Sequence, residues 1–198
     1  MIIGIDIDDT ISDTTEVMFN CCQKYITEEL KREPVVEEEA KYTHHFIEVI
    51  HGLSREQKED FFKKYYEYIV DNVIPKTCSV EYLKKLKEEG NKIVLITARF
   101  EIKEFDVIEA TKRWLQKYEI PYDETVFNAE SKIEAAKNAN IDVFIDDSYK
   151  NCEDMSKNGI KAFLMDSRGN RGLETKGFER VYSWPHLYYK LKVDGGKN

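Results

Sequence analysis

Ile2-Ile3-Gly4-Ile5-Asp6-Ile7-Asp8-Asp9-Thr10 is an apolar run that turns acidic at its end. A strand covered on both faces cannot alternate polar with apolar residues, so such a run reads as the central strand of a parallel sheet. Ligands of open α/β sheets bind outside the carboxyl ends of those strands, which puts Asp6, Asp8 and Asp9 at a binding edge. Three acids within four residues repel one another and raise one another's pKa unless a positive group intervenes. A hard divalent cation, which takes oxygen ligands, is the natural partner.

The next strand-like run, Lys92-Ile93-Val94-Leu95-Ile96, lies too far along the chain for a simple βαβ unit of about 30 residues. Something is inserted between the two. The intervening pattern is helical: Val17, Met18, Cys21 and Tyr25 form one apolar stripe, Phe61, Phe62, Tyr65, Tyr66 and Ile69 another, with a third candidate around Phe46, Ile47 and Ile50. Gly52 and the capping-box sequence Ser54-Arg55-Glu56-Gln57 separate the last two. The expected organisation is therefore an α/β core of residues 1–13 and 74–198, carrying a small helical insert at 14–73.

Beyond the insert, helix and strand alternate, the pattern of a doubly wound, Rossmann-like parallel sheet. A helix with Val80, Leu83 and Leu86 stops at Gly90, and one marked by Val107, Thr111, Trp114, Leu115 and Tyr118 stops before Pro121. Thr125 to Phe127 reads as a short strand, Ser131 to Asn138 as a helix, and Val143-Phe144-Ile145 as a strand ending in Asp146-Asp147. A helix from Lys150 to Asn158, a strand from Ala162 to Met165, and a final strand at Val181-Tyr182 complete the series, with Ser183 as N-cap and Pro185 in the first turn of a closing helix.

The chain has 198 residues, 41% of them hydrophobic, and carries a net charge of −8, which fits a soluble globular protein and argues against broad contact with a nucleic-acid backbone. No apolar run reaches the roughly 18 residues of a membrane span, and no basic, signal-like start precedes an apolar stretch, so the cytoplasm is the expected address. Cys21, Cys22, Cys78 and Cys152 lack the spacing of a zinc site and read as reduced packing thiols.

Three strands end in polar residues on one edge of this sheet: Asp6-Ile7-Asp8, Thr97-Ala98-Arg99 and Asp146-Asp147. Lys132 starts the helix before the last of these. Phosphoryl transfer needs this set of parts. A dianionic phosphomonoester accepts an anionic nucleophile only if a cation neutralises its oxygens, which a magnesium ion shared with carboxylates can do. Asp6 would attack phosphorus to give an aspartyl phosphate. Asp8 would protonate the leaving oxygen and then take a proton from the hydrolytic water. Thr97, the amide of Ala98 and Lys132 would bind the phosphoryl oxygens, while Asp146 and Asp147 would hold the metal directly or through water. Lys137 competes with Lys132, but a helix start faces the sheet's carboxyl edge and Lys137 lies further along. Arg99 taken alone could pair with any surface acid.

This order of motifs resembles the haloacid dehalogenase superfamily of aspartate-nucleophile phosphatases. Asp6-Ile7-Asp8-Asp9-Thr10 resembles its first motif, Ile93 to Thr97 its second, Lys132 its third and Ile145-Asp146-Asp147 its fourth. The resemblance implies a metal held by Asp6, the backbone carbonyl of Asp8 and Asp147, with Asp146 behind it, and makes the helical insert a cap over the substrate. Within the superfamily the chain is most similar to the 5′(3′)-deoxyribonucleotidase group, whose short cap, Ile-Asp-Asp ending and Ser183-Trp184 have counterparts here. It departs in having Asp9 where that group has glycine, and Thr14 where it has an aromatic residue that encloses the base.

The resemblance thus implies a nucleoside 5′-monophosphate as substrate, with another small metabolite phosphate as the alternative, while charge and hydropathy lead to the expectation of no nucleic-acid polymer or membrane as partner. A phosphate-binding receiver is the rival from a different class; it fits less well, because a receiver carries its phosphate on an Asp where this chain has Thr97 and lacks a helical insert. Phe19, Tyr42, Phe46, Phe62 and Tyr66 offer rings for a base, although their helical spacing fits core packing better, and His44 and His45 read as surface or cap residues.

Overall fold

The computed structural model describes residues 1–35, 46–129 and 131–195. In chain order it comprises β1 (Ile2–Ile5), α1 (Thr14–Glu28), α2 (Phe46–Val49), α3 (Arg55–Asn72), α4 (Ser79–Glu88), β2 (Lys92–Ile96), α5 (Val107–Lys117), β3 (Glu124–Val126), α6 (Lys132–Asn138), β4 (Val143–Asp146), α7 (Tyr149–Lys157), β5 (Lys161–Met165), β6 (Glu179–Val181) and α8 (Trp184–Gly195). The six strands form one parallel sheet in the order β3-β2-β1-β4-β5-β6, the doubly wound arrangement expected from the alternation of elements. The chain winds outward in opposite directions on either side of the β1/β4 pair. The crevice for a ligand therefore opens where Asp6 follows β1 and Asp146 ends β4.

Alternating side chains divide this sheet between two cores. Ile3, Ile5, Ile93, Leu95, Ile145 and Phe163 face one side with Leu83 and Leu86 of α4, Trp114 of α5 and Leu187 of α8. Val94, Ile96, Phe144 and Leu164 face the other with Ala136 of α6 and Cys152 and Met155 of α7. Gly4 sits on that second face, where an added Cβ would come within 2.8 Å of the Phe144 ring, so β1 and α6–β4 close tightly because residue 4 has no side chain. β3 ends at Val126 rather than Phe127 because its partner β2 ends opposite it, at Ile96.

Local signals set the helix ends. Ser54 and Gln57 form the reciprocal capping box that starts α3, and Ser131 and Ser148 accept the N3 amides of α6 and α7. α4 runs out at Gly90, whose φ of +82° suits a residue without Cβ. α1 and α3 lie against each other through Tyr25, whose ring meets Phe61 edge-on at 5.7 Å and whose hydroxyl donates to Asp60 at 2.9 Å. Their buried residues Phe19, Ile26, Phe61 and Ile69 belong to the same apolar cluster as Ile3 and Ile5. Tyr66 and Val70 carry α3 onto Val107 and Ala110 of α5. No helix among the described residues is long and apolar enough to cross a membrane.

Candidate active site

Ile5 ends β1 and the Asp6 amide still donates to Ile145 O of β4 at 2.9 Å, so the first acid is held as if the strand continued. The chain then folds back on itself: Ile7 O accepts the amides of Ile11 and Ser12 at 2.9 and 3.0 Å. Asp9 takes a φ of +56°, the left-handed conformation that glycine adopts most readily. Asp9 offsets that conformation by accepting the Thr15 amide at 2.9 Å and the Thr15 hydroxyl, thereby tying the acidic loop to α1. The Trp184 indole donates to Thr10 O at 3.0 Å and anchors the same loop from α8.

Around this loop the fold gathers Asp6, Asp146 and Asp147, one carboxylate oxygen from each lying within 4.8 Å of the others. All three residues are buried. Lys132, at the first position of α6, donates to Asp6 Oδ1 at 2.5 Å and to Asp146 Oδ2 at 2.9 Å. Asp146 also accepts the Ser148 amide at 2.7 Å and Asn151 Nδ2 at 3.0 Å, so both its oxygens are engaged within the protein. Asp147 Oδ2 accepts the Ser167 hydroxyl at 3.0 Å. Lys137 is elsewhere: its ammonium donates to Asn158 at 2.7 Å on the surface.

Asp8 faces β2 instead. Arg99 Nη2 and Nε reach it at 2.8 and 3.0 Å, and the Thr14 hydroxyl donates to it at 2.6 Å. Arg99 is thus the buried partner of a candidate catalytic acid rather than of a surface carboxylate, and that role has no signature in the sequence. Thr97 is fully buried, with its hydroxyl accepting the Arg99 amide at 3.1 Å; Ala98, not Thr97, lines the open cavity. The cavity measures about 330 Å³ and has Asp6, Asp8, Lys132 and Asp147 on its floor and Phe62, Tyr66 and Phe100 on its wall. Phe19 packs in the apolar core instead. Tyr42, His44, His45 and the Phe46 side chain lie outside the described residues. Phe100, Ser148 and Ser167 escape sequence reasoning because they sit outside periodic elements, and Asn151 because its place in the first turn of α7 does not show that it reaches back to Asp146.

Burial pushes the Asp6 carboxyl up to about 8, with Asp146 and Asp8 adding to the rise and Lys132 opposing it. Burial also raises Asp147 well above the ordinary range, reinforced by Asp9, Asp146 and Asp6. Asp8 goes the other way: burial would raise it, but the Arg99 charge and the hydrogen bonds from Arg99 and Thr14 outweigh that and hold it below the usual carboxylate value. Lys132 pairs with two buried carboxylates, Asp6 and Asp146, and Asp147 brings a third carboxylate to the same cluster, a concentration of oxygen donors of the kind a hard cation takes.

The family model described as "5′ nucleotidase, deoxy (Pyrimidine), cytosolic type C protein" matches residues 1–193. The chain belongs to this family. A nucleotidase of Clostridium acetobutylicum is 31% identical over 188 residues, covering 94% of this chain and 91% of that protein. A haloacid dehalogenase family hydrolase of Deinococcus radiodurans, solved with bound phosphate and sodium, superimposes with a TM-score of 0.72 at 13% identity, covering 98% of this chain and 96% of the other. CbbY of Rhodobacter sphaeroides, solved as a point mutant in complex with xylulose-(1,5)bisphosphate, gives 0.65 at 13% identity over 94% and 96%. The solved structures share the fold, and the family places this chain among the haloacid dehalogenase-type nucleotidases, which are phosphomonoester hydrolases.

Proposed function

We propose that this chain is a magnesium-dependent 5′-nucleotidase that cleaves nucleoside monophosphates, deoxyribonucleotides foremost, through an aspartyl phosphate on Asp6. The observation that carries the reading is the Asp6–Lys132–Asp146 cluster, with Asp147 beside it, at the base of a cavity with an aromatic wall. The donor chemistry fits a hard cation, which takes carboxylate and carbonyl oxygens, and Asp6, Asp146 and Asp147 bring one carboxylate oxygen each within 4.8 Å of the others. Asp6, the Asp8 carbonyl and Asp147 would hold it. Asp146, with both oxygens engaged by Lys132, Ser148 and Asn151, would support them from behind. When bound, magnesium supplies positive charge that lowers the repulsion between the nucleophile and a dianionic phosphate.

The protein's own groups carry the steps. Asp6 Oδ forms a bond to phosphorus as the bond to the leaving oxygen breaks, and Asp8 gives that oxygen its proton. Asp8 then takes a proton from water, whose oxygen attacks phosphorus and breaks the Asp6 acyl phosphate, freeing inorganic phosphate. Lys132 keeps Asp6 oriented and adds positive charge beside the phosphoryl oxygens, and the amide of Ala98, which lines the same cavity, would add a donor.

The nucleotide part of the reading rests on the wall. Tyr66 and Phe100 stack with centroids 4.8 Å apart at 21°, and Phe62 meets Phe100 edge-on at 5.2 Å. A flat base can stack there for about 1–3 kcal/mol. This wall would stand in for the aromatic residue that Thr14 replaces. The helices between residues 14 and 73 would form the cap over the core of 1–13 and 74–198, and the cytoplasm, with its nucleotide pool, is the setting we assign.

Phosphate release from a panel of deoxynucleotides, ribonucleotides and sugar phosphates, with magnesium and with chelator, tests this. Metal-dependent preference for deoxynucleotides, abolished by Asp6→Asn, is expected. Preference for sugar phosphates would discard the substrate and keep the chemistry; no turnover of any phosphomonoester would discard both.

A further inference from the structure

Arg99 is 4% exposed, yet it stands beside an open cavity with its guanidinium fixed on every side. Nη1 donates to the Thr111 hydroxyl at 3.1 Å, and that hydroxyl donates to Val107 O at 2.7 Å, so α5 holds one edge. The Trp114 ring lies 5.6 Å from the guanidinium carbon. The other edge meets Asp8 asymmetrically. Oδ1 receives Nη2 at 2.8 Å, Nε at 3.3 Å and the Thr14 hydroxyl at 2.6 Å, whereas Oδ2 receives Nε alone, at 3.0 Å, among the described residues. A carboxylate oxygen has about two lone-pair sites. Oδ1 is full and Oδ2 keeps a site open.

Left alone, a carboxylate on a short side chain rotates broadly about its last torsion, which would exchange the two oxygens. The Arg99 fork and Thr14 prevent that exchange from opposite sides, one from the core and one from α1. Asp8 stays reachable while so held: its side chain is 33% exposed, against 3% for that of Arg99.

We infer that Arg99 is a positioning residue for the acid–base step, turning Asp8 so that Oδ2 alone exchanges protons with the substrate. This rests on the reading of Asp6 as nucleophile and Asp8 as acid and base. In the first half-reaction the Oδ2–H proton passes to the leaving oxygen as the P–O bond breaks and the Asp6–P bond forms. In the second, Oδ2 takes the proton of the attacking water as the Asp6–P bond breaks. In this assignment Arg99 acts on the reaction through Asp8, the group its fork holds.

The dependence on leaving group tests this, since an activated nitrophenolate departs without a proton and a nucleoside alkoxide does not. With enzyme in excess and magnesium present, release of the leaving group is timed from dinitrophenyl phosphate and from a deoxynucleoside monophosphate. Arg99→Lys keeps the buried charge but not the fork; it is expected to lose roughly 10²-fold on the nucleotide, the scale of a general-acid contribution, and under about tenfold on the nitrophenyl ester. Thr14→Val, which leaves the buried cation in place, is expected to move the same ratio in the same direction by a smaller factor. Melting curves report whether each variant is folded. Equal losses on both esters, or none, in folded variants would overturn the inference while leaving the nucleotidase reading intact. A wild-type enzyme that cleaves neither ester would overturn both.

Discussion

The Lys132 ammonium lies 2.5 Å from Asp6 Oδ1 although 126 residues separate them in the chain. It is also the ammonium that joins Asp6 to Asp146. Replacing it by methionine keeps length and removes the charge, leaving buried carboxylates without their cation, a change that typically costs about 3–5 kcal/mol. Lys132→Met is expected to melt well below the wild type in chelator, to recover part of that loss in magnesium, and to lose at least about 10²-fold in kcat. Thermal denaturation with and without magnesium, alongside phosphate release, checks it.

If Asp147 ligates the cation, magnesium should stabilise the folded chain by mass action. At a concentration about 100 times Kd the gain is about 2.7 kcal/mol, which for a chain of this size corresponds to roughly 5–10 °C in Tm. Asp147→Asn should lose most of that shift. An unchanged shift in the variant would remove Asp147 from the ligand set.

The raised Asp6 carboxyl gives a pH signature in metal-free protein. Folded Asp6 holds its proton up to about 8 while the unfolded chain releases it near the ordinary 3.8, so its contribution to stability is complete below about pH 4 and is lost as pH rises towards 8. Asp6→Asn has no such loss. The Tm of the variant relative to wild type, in chelator, should therefore climb between about pH 5 and 8, and added magnesium should flatten the climb.

At Asp9 the backbone conformation and the side-chain bonds can be separated. Asp9→Gly and Asp9→Ala both lose the bonds to Thr15, but only alanine must strain at a φ of +56°. Asp9→Ala should be less stable than Asp9→Gly by about 1–2 kcal/mol in denaturant titrations. Equal stability would mean the loop relaxes out of that conformation.

Phe100 is 42% exposed and lines the cavity while packed on Tyr66, which leaves ring surface open to a ligand there. Phe100→Ala should raise KM for nucleoside monophosphates by roughly tenfold or more, given about 1–3 kcal/mol for stacking on a base, and leave KM for a small aliphatic phosphate nearly unchanged. A parallel rise for both substrates would count against a base platform.

The acid pairs, the buried strands that end in them and the alternation of helix and strand were legible because each is a local pattern. An apolar run, an N-cap serine or a glycine after a helix acts on its own neighbours, as at Ser54 and Gly90. Even the choice of Lys132 over Lys137 followed from its place in a helix turn. Arg99 and Phe100 were not legible, because their partners Asp8 and Tyr66 lie far away in the chain and nothing near positions 99 and 100 encodes them.

By itself, then, the sequence determined which strands are central and that the acids fall at one edge of the sheet, since periodicity and strand order are short-range consequences of burial. Only the tertiary structure decided which charges face each other. The partner of a buried carboxylate is set by the packing of distant elements in a medium that screens little, so Lys132 went to Asp6 and Asp146 and Arg99 to Asp8 by geometry that no local pattern records.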